Sequence, residues 1–147
     1  MKIADFLGPA DVIRLASPDK THLLRVLSRH AAGQLDLDPA AVNRSLSERE
    51  ALGSTGVGNG VALPHARLGN VRHPFGIFAA LARPIEFGAV DDQPVDLVFL
   101  LLLPADVPEN QLRCLACVAR RFKEPGLLAT LRVEPEPAQL YRHFVGD

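Results

Sequence analysis

A chain of 147 residues, 48% apolar and 22% charged, fits one globular domain around one hydrophobic core. Its formal net charge of −1, its scattered Lys and Arg, and a count of seven Phe, one Tyr and no Trp leave neither a basic stripe nor a base-stacking platform, so no nucleic-acid partner is expected. The longest apolar run, LVFLLLLPA over 97–105, is less than half a membrane span, and Asp5, Gly8, Pro9 and Asp11 break the opening segment, so neither membrane insertion nor a signal peptide is expected and a cytoplasmic location is.

The elements read in order. DVIRLA (11–16) is short, partly alternating and β-leaning. A helix follows in SPDKTHLLRVLSRHAAGQL, with Ser17 as N-cap, Pro18 at the first helical position and Asp19 in the first turn. Leu23, Leu27, Ala31 and Leu35 recur there at helical spacing. DPAAVNRSLSEREALG is a second helix, capped by Asp38, opened by Pro39 and closed by Gly53, with Arg49 in its last turn. After the glycine-rich stretch GSTGVGNG come three β-type runs, VALPHA (61–66), FGIFAALAR (75–83) and VDLVFLLLLP (95–104). The third is apolar at nearly every position, which requires both faces of the strand to be buried. Pro84, Gly88 and DDQP (91–94) supply the turns between runs.

DVPENQLRCLACVARRFKEPG reads as a third helix. Asp106 and Glu109 precede it and Arg120, Arg121 and Lys123 close it, in the sense the helix dipole favours. Leu112, Leu115, Val118, Ala119 and Phe122 form its apolar face, with Gln111 in the same sector. Short helices at 127–131 and 137–145 complete the chain. One strand, two helices, three strands and then helices imply a single-domain α/β sandwich, and not an alternating βαβ array.

Chemistry concentrates in GSTGVGNGVALPHAR (53–67). A Walker loop needs a Lys-Ser/Thr pair after its last glycine, where this chain has Val61-Ala62. A dinucleotide fingerprint fails on its third glycine and on its order, since this loop leaves a helix and enters a strand. Small residues still let backbone amides approach an anion, Ser54 and Thr55 add hydroxyl donors, and Arg49 supplies a guanidinium fork. His65 follows Pro64 at the expected end of a strand. An imidazole nucleophile toward a phosphoryl group needs one free ring nitrogen, a partner holding the other as N–H, and donors around the phosphoryl oxygens. The spacing does not identify the partner that fixes the tautomer, and a histidine beside a turn also serves as a structural hydrogen-bonding residue.

GSTGVGNGVALPHARL resembles the phosphorylation-site segment of IIA components of the bacterial sugar phosphotransferase system, fructose/mannitol class. QPVDLVFLLLLPAD with the helix after it resembles the segment downstream of that site. The resemblance runs from about residue 5 to 144 and is greatest to the nitrogen-regulatory IIA proteins, which stand alone; here too no length remains for attached IIB or IIC domains. It implies a three-layer α/β/α sandwich with a mixed sheet over residues 1–147 and a transferase that carries its phosphoryl group on a protein residue. It further implies an HPr-type phosphocarrier as donor, regulated protein targets such as a transporter or sensor kinase, no cofactor and no metal. By the same resemblance His65 is the phosphoacceptor, Arg49 the neighbouring arginine and Ser54-Thr55 the hydroxyl pair. The family's second active-site histidine aligns with Gln111, which cannot carry a proton; onward transfer to a IIB partner is the step this departure affects. Two alternatives follow: a binding module impaired in phosphorylation, and a sugar-system IIA that feeds a IIB domain.

Other features read as structural. Cys114 and Cys117 form C-x-x-C, but zinc would need two further ligands, so they are expected as free thiols that pack. His22 and His30 fall at a helix edge, His73 in a turn and His143 in the last helix. Asp91, Asp92 and Asp96 suit a solvated turn, and ARRFK (119–123) a helix terminus.

Overall fold

The computed structural model describes residues 1–146. Two single-turn 3-10 helices, Ile3–Asp5 and Pro9–Asp11, lead into β1 (Val12–Leu15), followed by α1 (Lys20–Leu35) and α2 (Pro39–Leu52). Strands β2 (Gly56–Gly58), β3 (Val61–Ala62), β4 (His65–Leu68), β5 (Phe75–Ile85) and β6 (Val95–Pro104) come next. Helices α3 (Pro108–Phe122), α4 (Leu127–Val133) and α5 (Pro137–Val145) finish the chain. Among the described residues no helix is long and apolar enough to cross a membrane.

The sheet is mixed, in the order β1-β5-β6-β3-β2, with β4 also paired to β6. Strand β6 is central: antiparallel to β5, parallel to β3 and β4. Its alternate residues enter opposite cores. Val98, Leu100 and Leu102 pack with Leu27 of α1 and Val42 and Leu46 of α2, whereas Leu97, Phe99, Leu101 and Leu103 pack with α3, α4 and α5. This is the burial on both faces expected of a continuous apolar run, and it yields the three-layer α/β/α sandwich. The Phe144 ring holds the second layer, stacked on Phe78 at 4.8 Å and on Phe99 at 5.2 Å between centroids.

Several local expectations are corrected. Helix α1 is capped by Asp19, whose carboxylate accepts from the His22 N–H at 2.8 Å. Ser17, the expected cap, instead donates to Asp19 O and bonds His22 Nδ1, so it braces the segment before the helix. Pro84 lies inside β5 and is exposed; pairing with β6 is irregular between Ala80 and Ile85, where a missing N–H breaks no ladder. On α3 the buried side chains are Cys114, Cys117, Val118 and Phe122, while Leu112, assigned to the apolar face, is 75% exposed. Burial, then the neighbouring Cys117, pushes the Cys114 thiol up to about 11. His30 at the helix edge pairs with buried Asp11 at 2.9 Å.

The glycine-rich stretch is a hairpin. Strands β2 and β3 are antiparallel, joined by Asn59 and Gly60 with φ of 59° and 79°, the two positive values that a tight two-residue turn requires. Arg132 of α4 pins this tip by donating to Asn59 O and, through Nε, to Asp96 Oδ2 at 2.9 Å. At Gly56 an added Cβ would meet Ala89 Cβ at 2.6 Å. These glycines serve backbone turning and close packing.

Candidate functional site

The run expected as one strand over 61–66 is two, both paired to β6 and interrupted at Leu63 and Pro64. Pro64 has no N–H to give the ladder, though its carbonyl still accepts from Leu101 N–H at 2.9 Å. His65 therefore begins β4 instead of ending a strand, a correction with a chemical consequence. The interruption leaves the Leu63 carbonyl to the ring, and His65 Nδ1 sits 2.8 Å from it. A carbonyl only accepts, so Nδ1 carries the proton and Nε2 presents the lone pair in neutral imidazole. The backbone two residues upstream is the tautomer-fixing partner that spacing did not identify.

Arg49 Nε donates to that same Nε2 at 3.4 Å, and Arg49 Nη1 donates to Gly53 O at 2.9 Å. The guanidinium is held at both ends over the free nitrogen. His65 is 7% exposed, but it lines an open cavity of about 660 Å3 together with Arg49, Leu52, Arg67 and Gln111. Burial is the first cause that lowers the ring's pKa below its ordinary 6.5 and Arg49 lowers it further, against opposing effects of the Leu63 carbonyl and Glu50. The ring is thereby kept neutral and nucleophilic near pH 7.

The expected residues come together, with different hydrogen-bonding duties. Ser54 and Thr55 border a second opening shared with His65, Arg49 and Leu112. Their hydroxyl protons are given elsewhere in this structure: Ser54 Oγ donates to Phe87 O at 2.9 Å, and Thr55 Oγ1 donates to Glu50 Oε2. Gln111, in the first turn of α3, lines the cavity.

Three contributors were missed by sequence reasoning. Glu50, 9% exposed, accepts from Thr55 N–H at 3.2 Å and forms an ion pair with Lys20 Nζ at 2.7 Å. Lys20 in turn donates to Phe87 O and lies 4.2 Å from the centroid of that ring. The third, Arg67, is exposed on β4 two residues after His65; strand alternation puts both on one face, and that signal could have found it. Nothing local announces the Lys20–Glu50 pair, whose partners are thirty residues apart on different helices.

Replacing Glu50 by Gln keeps the hydrogen-bonding shape and removes the charge facing Lys20. The expected loss is about 1–3 kcal/mol, seen as a lower urea midpoint at unchanged slope. An unmoved midpoint would mean that the pair does not brace the loop.

Residues 7–145 match the family model for the phosphoenolpyruvate-dependent sugar phosphotransferase system, EIIA 2. The "Nitrogen regulatory protein" of Escherichia coli strain K12 is 40% identical over 130 residues, covering 88% of this chain and 80% of that protein. A fructose-specific EIIA component from Haloferax volcanii is 42% identical over 116 residues, covering 79% and 74%. The crystal structure of nitrogen regulatory protein IIA-Ntr from Neisseria meningitidis aligns with a TM-score of 0.90 at 29% identity, over 97% of this chain and 98% of that one. With sequence and fold matched over nearly its full length, this chain belongs to the EIIA 2 family of the phosphoenolpyruvate-dependent sugar phosphotransferase system and is a component of phosphoryl transfer.

Proposed function

We propose that this chain accepts a phosphoryl group on His65 Nε2 from the phosphohistidine of an HPr-type phosphocarrier. It then acts mainly as a cytoplasmic regulator of the nitrogen branch, its residues 1–147 forming one IIA domain. The observation that carries the reading is the ring itself, with Nδ1–H held by Leu63 O and Nε2 turned toward Arg49 beside an open cavity.

In the transfer, the Nε2 lone pair attacks phosphorus and forms the new N–P bond as the donor's N–P bond breaks. The donor imidazole leaves with that electron pair. His65 keeps its Nδ1 proton, so its ring gains positive charge, which the Leu63 carbonyl dipole stabilises. Arg49 releases Nε2 and follows the equatorial oxygens, with Arg67 adding charge at the cavity rim. Ser54 and Thr55 hold the loop wall and exchange their present acceptors for phosphoryl oxygens as the group arrives. The adduct adds about −1.5 to −2 charge near pH 7 to a chain of net charge −1, and this changes which protein targets bind.

Gln111 favours retention over relay. The residue facing the phosphoryl group from α3 hydrogen-bonds but moves no proton, which weighs against the sugar-system alternative of passing the group to a IIB domain. The chemistry is tested by incubating the protein, labelled with 15N-histidine, with a pre-phosphorylated HPr-type carrier. One acid-labile phosphoryl group per chain, located on Nε2 by NMR, is expected. Attachment at Nδ1, or no adduct at all, would refute the assignment, the latter favouring the unphosphorylated binding module.

A further inference from the structure

Helix α3 carries two buried free thiols outside the phosphoryl site. The i, i+3 spacing puts Cys114 and Cys117 on one helix face. The fold then adds a third sulfur from the far end of the chain: Met1 Sδ lies 3.7 Å from Cys114 Sγ, and Cys117 Sγ donates to Met1 O at 3.7 Å. Among the described residues no group of three or more His, Cys, Asp or Glu side chains gathers to hold a metal. A hard or borderline cation therefore lacks its ligand set here, and a zinc site would fall short of four ligands. Two thiols and a thioether are instead the donors that select soft d10 cations.

We propose that Cys114, Cys117 and Met1 form a three-sulfur site for a soft monovalent cation of the Cu(I) class. With metal–sulfur bonds of about 2.3 Å, sulfurs 3.7 Å apart subtend an angle of roughly 107° at one ion, so Met1 and Cys114 can share it with little movement. Each coordinated thiol gives its proton to solvent and no electron moves, so Cu(I) enters and leaves as Cu(I). Two thiolates on one monovalent cation carry a net −1. The cavity beside Cys117 suits that charge, being lined by Lys2, Arg120 and Arg121 against Glu124. The entry path is the same cavity, since Met1 is 47% exposed and both Met1 and Cys117 line it.

Met1 is the single methionine, so a methyl-13C-methionine label gives one NMR signal that reports the site. Anaerobic titration with Cu(I) against a competing chelator should show one ion per chain and a shift of that signal. Cys117→Ser and Cys114→Ser should each weaken binding beyond the roughly 100-fold that loss of an indirect partner of a ligand costs. Cys114 is fully buried, so Cys117→Ser and the methyl signal decide the matter if Cys114→Ser does not fold. Two independent ions per chain, an unmoved methyl signal, or unchanged affinity in Cys117→Ser would overturn the proposal.

Discussion

His65→Ala is expected to reduce phosphoryl incorporation from an HPr-type carrier to background while leaving the fold intact. The ring makes one hydrogen bond to the segment that precedes its strand, to Leu63 O, and one weak contact with Arg49; removing it breaks few hydrogen bonds but deletes the unprotonated ring nitrogen beside the cavity. The wild-type rate carries a second signature. The nucleophile is the neutral ring, and burial holds its pKa below 6.5, so acceptance should stay level through neutral pH and fall only as the pH drops through that lowered pKa. Stability follows the same sign. Below pH 6.5 the unfolded chain binds a proton that the folded ring resists, so stability declines from pH 6.5 down to the folded pKa and is unaffected by this group above 6.5. Incorporation that persists in His65→Ala would place the acceptor elsewhere. A rate that falls already near pH 8 would mean the ring is not the group being titrated.

Arg49→Ala should slow acceptance by about 100- to 1000-fold, the usual effect of deleting one preorganised donor to a developing anionic centre. Arg49→Lys should restore little of it. The guanidinium uses Nε toward His65 and Nη1 toward Gly53 O at once, a two-point hold that a single ammonium cannot reproduce. The loss should also be accompanied by a shift in pH dependence. Arg49 lowers the ring's pKa by charge repulsion, so in Arg49→Ala the acid limb moves toward higher pH. A slower rate with an unmoved acid limb would mean that Arg49 acts only on the carrier's approach. A rate matching wild type would remove it from the transfer step.

The apolar continuity of 95–104 is enough to place a central strand between two helical layers, because a strand buried on both faces has almost no polar position. Proline at the first helical position and Asp38 before it placed the start of α2 correctly. The start of α1 was misplaced because Ser17, Pro18 and Asp19 all resemble start signals, and only the position whose carboxylate meets the His22 N–H acts as one. The Asn59-Gly60 dipeptide is itself a hairpin signal, but the glycines on either side mask it because they equally suit a phosphate-binding loop.

By itself, the order of residues determined which side chains are candidates for the proposed chemistry: an imidazole behind a proline, an arginine closing the preceding helix, and a glutamine early in the helix after the central strand. Each is a local property, set by residue type and spacing of a few positions. The tertiary structure alone decided which ring nitrogen is free, because that depends on where the Leu63 carbonyl points once the strand is interrupted at Pro64. It alone also decided that Glu50 meets Lys20, and that Met1 meets Cys114 across 113 positions. Contacts of that range are fixed by the packing of layers against one sheet, which no short window of sequence contains.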